Sequence, residues 1–159
     1  MTNPTRSRTA SPRPDFADVP DARRRNLAAV KAKDTKPELL IRRGLFAMGY
    51  RFRLHDRQLP GRPDIVFPGR RSAVEVRGCF WHRHGCANSV VPKTRTEWWT
   101  QKLDGNVERD RTNAISLEAA GWRLLVVWEC EVRQNLGDVL GHIRDFLAAP
   151  RPHDKVRSS

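Results

Sequence analysis

No stretch of this sequence approaches the roughly 18 apolar residues that a membrane span needs, and the N-terminus lacks the apolar segment of a secretory signal. A soluble, cytoplasmic protein is expected. Cysteine is scarce and odd in number: three residues cannot all pair within one chain, and in a reducing compartment they read as metal ligands or free thiols. Acidic residues are also short, with 18 Asp+Glu against 30 Lys+Arg and a net charge of +12. An imbalance of that size concerns partners rather than fold, and phosphate backbones are the commonest partner of such a surface. The excess is uneven, since residues 1–60 carry 14 Lys+Arg and 6 Asp+Glu. No internal repeat is visible. With 159 residues and 38% hydrophobic content, one domain with a modest core is expected, the kind that gains from a metal staple.

Residues 1–20 and 150–159, rich in Pro, Ser and Arg, read as disordered tails around a single folded domain at 21–149. Within it, Arg23 to Lys33 reads as a short basic helix. Thr35-Lys-Pro-Glu38 has capping-box spacing and opens a helix to about Met48, stopped by Gly49. Tyr50, Phe52 and Leu54 alternate with arginines, Asp64 to Phe67 is β-prone, and Pro68 to Arg71 reads as a turn. In Ser72 to Arg77, Val74 and Val76 share one face and Glu75 and Arg77 the other. A loop to about Thr96 precedes two expected helices, 97–103 and 106–120. Arg123 to Trp128 is an apolar run expected to be a strand buried on both faces. Leu136 to Ala148 closes the chain with Leu140, Ile143 and Leu147 at helical spacing. The order α-β-β-β-α-β-α predicts an α/β fold with a mixed central sheet flanked by helices.

Cys79, His84, Cys86 and Cys130 form the sharpest chemical signal. Three thiols and one imidazole are a common tetrahedral zinc set, and a full protein ligand shell makes the expected Zn2+ structural rather than catalytic. His82 lies as near in sequence and is an alternative to His84. One metal here would tie the loop to the centre of the sheet.

A second signal is Leu59-Pro-Gly-Arg-Pro-Asp64 entering one strand, with Glu75-Val-Arg77 on the next. An acid at a strand start and an acid-x-cation on its neighbour can converge on a hard cation such as Mg2+, which phosphodiester hydrolysis uses. The pattern is similar to the PD-(D/E)xK nuclease signature, with Arg77 in the usual place of Lys. Glu75 would add a direct metal contact and Arg77 would face the scissile phosphate.

The surrounding residues are more specific. Gly78-Cys-Phe-Trp-His82, Pro92-x-Thr-Arg-Thr-Glu97-x-Trp99, Lys102-x3-Asn106-x2-Arg-Asp110, Gly121-Trp122 and Val127-Trp-Glu-Cys130 closely resemble the very short patch repair (Vsr) endonucleases, over roughly residues 23–147. The resemblance implies a restriction-endonuclease-like fold with a zinc site. It implies a Mg2+-dependent nick 5′ to the T of a T:G mismatch, the scar of 5-methylcytosine deamination. It further implies Asp64 as principal Mg2+ ligand, the Val76 carbonyl as a second, His82 as catalytic histidine, and Glu38 orienting water, beside the capping role its spacing already gives it. Cys79, His84, Cys86 and Cys130 fall on the zinc ligands of the family. Phe80, Trp81 and Trp99 become candidate wedges beside the mismatch, whereas Trp122 and Trp128 read as core. Family members often carry His at the place of Arg77, a departure here.

Lys93, Arg95, Lys102, Asn106, Arg109 and Arg111 are candidates for contacts to phosphates or base edges, or else solvated surface charges. Arg23-Arg24-Arg25, Lys31 and Lys33 are candidates for a backbone clamp. Double-stranded DNA is thus the expected partner, met by a monomer in the bacterial cytoplasm at the nucleoid, with links to other mismatch-repair proteins. Two other readings compete: a restriction- or defence-type nuclease cutting intact duplex, and a non-catalytic zinc-stapled DNA-binding module.

Overall fold

The computed structural model describes residues 33–150. The expected tails, apart from Pro150, and nearly all of the expected helix at Arg23 to Lys33 lie outside the described residues.

The first helix, α1, spans Lys36–Ala47, with Pro37 in its first turn, where a missing N–H is harmless. It ends at Met48, and Gly49 follows at φ 90°. The capping box read at Thr35 and Glu38 is realised differently. Thr35 Oγ1 donates to Glu38 Oε1 at 2.8 Å, and Glu38 Oε2 accepts the Asp34 amide at 3.0 Å. A carboxylate is the stronger acceptor, so the hydroxyl serves it rather than the helix amides.

Four strands follow: β1 at Arg53–Leu54, β2 at Ile65–Phe67, β3 at Ser72–Arg77 and β4 at Arg123–Trp128, in sheet order β1-β2-β3-β4. β1 pairs antiparallel with β2 and β2 antiparallel with β3, while β4 lies parallel to β3 with Glu75 opposite Val126. The mixed sheet is as expected. The first strand is shorter than its alternation suggests, pairing only at Arg53 and Leu54, and His55 follows it at a left-handed φ of 47°. Tyr50 and Phe52 nevertheless pack edge-on against Phe67, with centroids 6.0 and 5.9 Å away.

Between β3 and β4 runs a single long helix, α2, over Thr96–Ala119. Two helices were expected here. An interior glycine costs about 1 kcal/mol relative to alanine, too little to break a helix whose Leu103 and Leu117 are both fully buried. Gly105 is carried through, and Gly121, at φ 78°, ends the element.

β4 is a second correction. It is an edge strand in which Val127 alone is fully buried and the other five residues are half-buried. Its apolar run reflects cover by helices on its faces rather than a place in mid-sheet. A short helix missed in the sequence, α3 at Glu129–Gln134, begins at once, with Glu131 Oε2 accepting the Trp128 amide at 2.8 Å. The closing helix α4, Leu136–Ala148, is capped by Asn135, which accepts from the Asp138 amide at 3.2 Å.

The core joins Ile41 and Leu45 of α1, Ile65 and Phe67 of β2, Val74 and Val127 of the sheet, Val132 of α3, and Val139, Ile143 and Leu147 of α4. Gly44 lets α1 and α4 approach closely, since a Cβ there would lie 2.4 Å from Leu140 Cδ1. The opposite strand positions, Val66 and Ala73, are equally buried but lie outside that cluster. By the period of 2, Asp64, Glu75 and Arg77 belong to this second face. No helix among the described residues is long and apolar enough to cross a membrane.

Candidate active site

Asp64 stands at the mouth of β2. Its Oδ2 accepts the Val76 amide of β3 at 2.7 Å, and its Oδ1 lies 3.6 Å from His55 Nδ1. Burial pushes the Asp64 carboxyl up to about 7; the Val76 N–H opposes this, while the charges of Glu38 and Glu75 add to it. These are three carboxylates with too little positive charge between them, a site suited to a cation.

Glu38 reaches this place from α1. It is 3% exposed and held by Thr35, Asp34 and Arg42, whose Nη2 donates to Oε2 at 2.8 Å. Glu75 accepts both Nε and Nη2 of Arg77, at 3.0 and 2.7 Å. Arg77 Nη1 in turn lies 3.7 Å from Asp110 Oδ2, on the long helix. That same oxygen is 2.5 Å from His82 Nδ1. A carboxylate only accepts, so His82 carries its proton on Nδ1 and leaves Nε2 with a free lone pair. Asp64, Glu75, Arg77, His82 and Asp110 thus form one connected band.

Immediately beside it, Cys79, His84, Cys86 and Cys130 place one ligand atom each within 4.8 Å of one another, and none of the cysteines is in a disulfide. A tetrahedral zinc with Zn–S bonds of about 2.3 Å has ligand–ligand edges near 3.8 Å, so the set is close enough to hold a metal ion. Burial drives the Cys79 thiol up to about 12. At Cys86 burial acts the same way, but the Asn88 amide and His84 outweigh it and bring the thiol down to about 7. The alternative ligand His82 is drawn away to Asp110, and His84 takes the place, its Nδ1 3.4 Å from Cys130 Sγ. Arg83 (φ 49°) and Gly85 (φ 87°), on either side of His84, are both left-handed, and His82 and His84 have different partners, Asp110 and Cys130. The cluster ties the loop to the start of α3 beyond the edge strand, and not to the sheet centre as expected.

Phe80 and Trp81 follow Cys79 in the chain and are half-buried, their rings edge-to-face at 5.1 Å. Trp99 lies 5.3 Å from Phe80 but is only 7% exposed, so it backs the other two. Asn106 is buried and donates to the Trp81 carbonyl at 3.0 Å, while its Oδ1 takes Arg109. Lys102 and Arg109 are exposed on α2. Trp128, read as core, instead stacks on His84 at 4.1 Å with 14° between planes.

Three residues near the site escaped the sequence reading, Asp34, Arg42 and His55, and a fourth, Asp110, was quoted in a motif but given no role. Asp110 and Arg42 carried a signal, since Asp110 follows Asn106 and Arg42 follows Glu38 at i,i+4. His55 carried none, for its left-handed backbone breaks the alternation that would have placed it.

The family model of DNA mismatch endonuclease Vsr matches residues 15–88. The chain is 46% identical over 128 residues to the type II nicking enzyme V.XorIIP of Xanthomonas oryzae, covering 80% of this chain and 93% of that one. It is 45% identical over 120 residues to the DNA mismatch endonuclease Vsr of Escherichia coli, covering 74% of this chain and 77% of that one. To the type II nicking enzyme V.NaeI of Lentzea aerocolonigenes it is 44% identical over 131 residues, 79% and 76% of the two chains. Identity at this level, over most of both chains, makes this protein a DNA endonuclease and a member of the Vsr family.

Proposed function

We propose that this chain nicks duplex DNA 5′ to the T of a T:G mismatch and so starts very short patch repair of deaminated 5-methylcytosine, by Mg2+-dependent hydrolysis. The observation that carries the reading is the placement of the Asp64 carboxylate at the start of β2, with its Oδ2 on the Val76 amide of β3 at 2.7 Å and the charges of Glu38 and Glu75 close by, an oxygen-rich setting suited to a hard cation. The names of relatives, a mismatch endonuclease and two nicking enzymes, support a single-strand cut.

Asp64 and the Val76 carbonyl would hold Mg2+; the N–H and C=O of one strand residue point to the same side, and the Val76 N–H faces Asp64. When bound, Mg2+ draws charge from the scissile phosphate and lowers the pKa of water. His82 takes the proton of the attacking water on Nε2, while Asp110 holds its Nδ1 and so fixes both tautomer and ring angle. Arg77, steered by Glu75, offers the remaining faces of its guanidinium to the phosphate. A contact of Glu75 with the metal would have to share the carboxylate with Arg77. Glu38 closes the acidic side and orients water.

Cys79, His84, Cys86 and Cys130 suit Zn2+, with no open position for chemistry. Phe80 and Trp81 act as wedges, because unstacking costs a few kcal/mol per step and least at a mismatch. Trp99 supports them from below, and Asn106 pins the Trp81 turn. Lys102 and Arg109 meet phosphates.

The test is incubation of the protein and Asp64→Ala with Mg2+ and end-labelled duplexes holding a T:G mismatch in varied context, CT(A/T)GG included, beside matched controls. A nick 5′ to the mismatched T, absent in the variant, is expected. Equal cutting of matched duplex would instead support a defence nuclease, and zinc-dependent binding without cleavage a DNA-binding module.

A further inference from the structure

Beside Asp64 lies a second group of would-be ligands, of which only Glu38 has an assigned role. Asp34, Glu38 and His55 each place one ligand atom within 4.8 Å of the others, the spacing of a metal site. A cation already sits among them. The Arg42 guanidinium, 8% exposed, reaches Asp34 Oδ1 at 2.6 Å, Glu38 Oε2 at 2.8 Å and His55 Nε2 at 2.9 Å.

Its contact with the histidine has a chemical consequence. Arginine only donates hydrogen bonds, so His55 Nε2 must accept, and the neutral ring must carry its proton on Nδ1. Nδ1 is the nitrogen that faces Asp64 Oδ1, at 3.6 Å. The backbone sets the ring there at the cost of a left-handed φ of 47°, with the His55 amide donating to the Asp64 carbonyl at 3.4 Å. Asp64 thereby has a donor on the side of each oxygen: Val76 N–H hydrogen-bonds Oδ2 at 2.7 Å, and His55 Nδ1–H faces Oδ1 at 3.6 Å, beyond hydrogen-bond distance but close enough to act electrostatically. A carboxylate oxygen has two lone pairs, so Oδ1 can face His55 and ligate a metal together.

We propose that His55 is a positioning residue for the metal-binding carboxylate: Arg42, filling a pocket shaped for a metal, fixes the tautomer of His55 so that its Nδ1–H, rather than a lone pair, faces Asp64 across 3.6 Å and favours its charged form. This rests on the reading of Asp64 as a metal ligand. It also implies that the Asp34–Glu38–His55 pocket takes no divalent ion while Arg42 stands in it.

Two measurements on the zinc-loaded full chain test it. Nitrogen-detected NMR of 15N-histidine-labelled protein, with the His55 signals identified by their loss in His55→Asn, reads the tautomer directly and needs no destabilised variant. The Nδ1–H form is expected; an Nε2–H form, or an even mixture, overturns the proposal. Mn2+ titration followed by electron paramagnetic resonance then compares wild type, Asp64→Ala, His55→Phe and His55→Asn, the last keeping an amide donor near the place of Nδ1. Loss of an outer hydrogen-bonding partner weakens metal affinity by about 10- to 100-fold, so His55→Phe is expected to weaken Mn2+ at least about tenfold, and His55→Asn much less. Wild-type affinity in His55→Phe with none in Asp64→Ala overturns the role of His55 and leaves the metal reading standing. Equal weakening in both His55 variants overturns the donor argument. Undiminished binding in Asp64→Ala overturns the metal reading itself, and the inference with it.

Discussion

Replacing Asp64 with Asn should abolish cleavage and stabilise the metal-free fold, by an amount that depends on pH. Asp64 has an ordinary value of 3.8 and is raised to about 7 in the folded protein. A carboxyl raised on folding binds a proton more tightly in the native state. Its benefit to stability is whole at low pH and is lost as pH rises from about 4 to about 7. At 1.36 kcal/mol per pKa unit, the full loss is about 4 kcal/mol, of which less than half has already gone by pH 5. Against a total stability of about 5–15 kcal/mol this is large. Asn keeps an oxygen to accept the Val76 amide and carries no charge, so Asp64→Asn should gain on wild type by about 2.5 kcal/mol more at pH 8 than at pH 5. Titrating groups that do not feel the charge of Asp64 are common to both proteins and cancel in the difference. Urea unfolding followed by tryptophan fluorescence, on zinc-loaded protein freed of Mg2+, measures the gap at each pH. Adding Mg2+ at pH 8 should then stabilise wild type alone. A gap that does not change between pH 5 and 8, or a variant less stable at pH 8, would refute the claim that Asp64 is held against its charge.

Three further outcomes follow from the site. Asp110→Asn should lower kcat by about a hundredfold or more, the usual share of a positioned base, with DNA affinity unchanged; an unaltered kcat would remove Asp110 from the His82 arrangement. Trp81→Ala should cut matched and mismatched duplexes more nearly alike while unfolding as wild type does, and a retained preference for the mismatch would count against the wedge. Cys130→Ser should lose its bound zinc and its cooperative unfolding together, measured by zinc release to a colorimetric chelator and by thermal melting; a full zinc complement in that variant would show that Cys130 is not a ligand.

Much of this was legible in the chain because it depends on local spacing. The alternation in Ser72 to Arg77 set the faces of β3, and the clustered Cys and His residues marked the metal cluster. What was hidden depends on tertiary packing. Gly105 looked like a break because its neighbours Leu103 and Asn106 reveal their burial only once the sheet is in place. The Arg123 to Trp128 run is as apolar as a central strand, and strand order alone puts it at the edge. His82 and His84 could not be told apart as ligands until Asp110, 28 residues beyond His82, was seen to take the first. His55 and Arg42 meet through a left-handed turn that no periodicity encodes.

The interleaving of the two clusters along the chain has a consequence for cellular safety. His82, the proposed base, lies between Cys79 and His84 in sequence, two of the residues that could hold a metal. On the proposed reading, a copy that lost its zinc, or whose thiols were oxidised, would lose the placement of its base in the same event. For an enzyme that breaks DNA strands this would act as a fail-safe: half-built or damaged copies would fall silent instead of cutting at random.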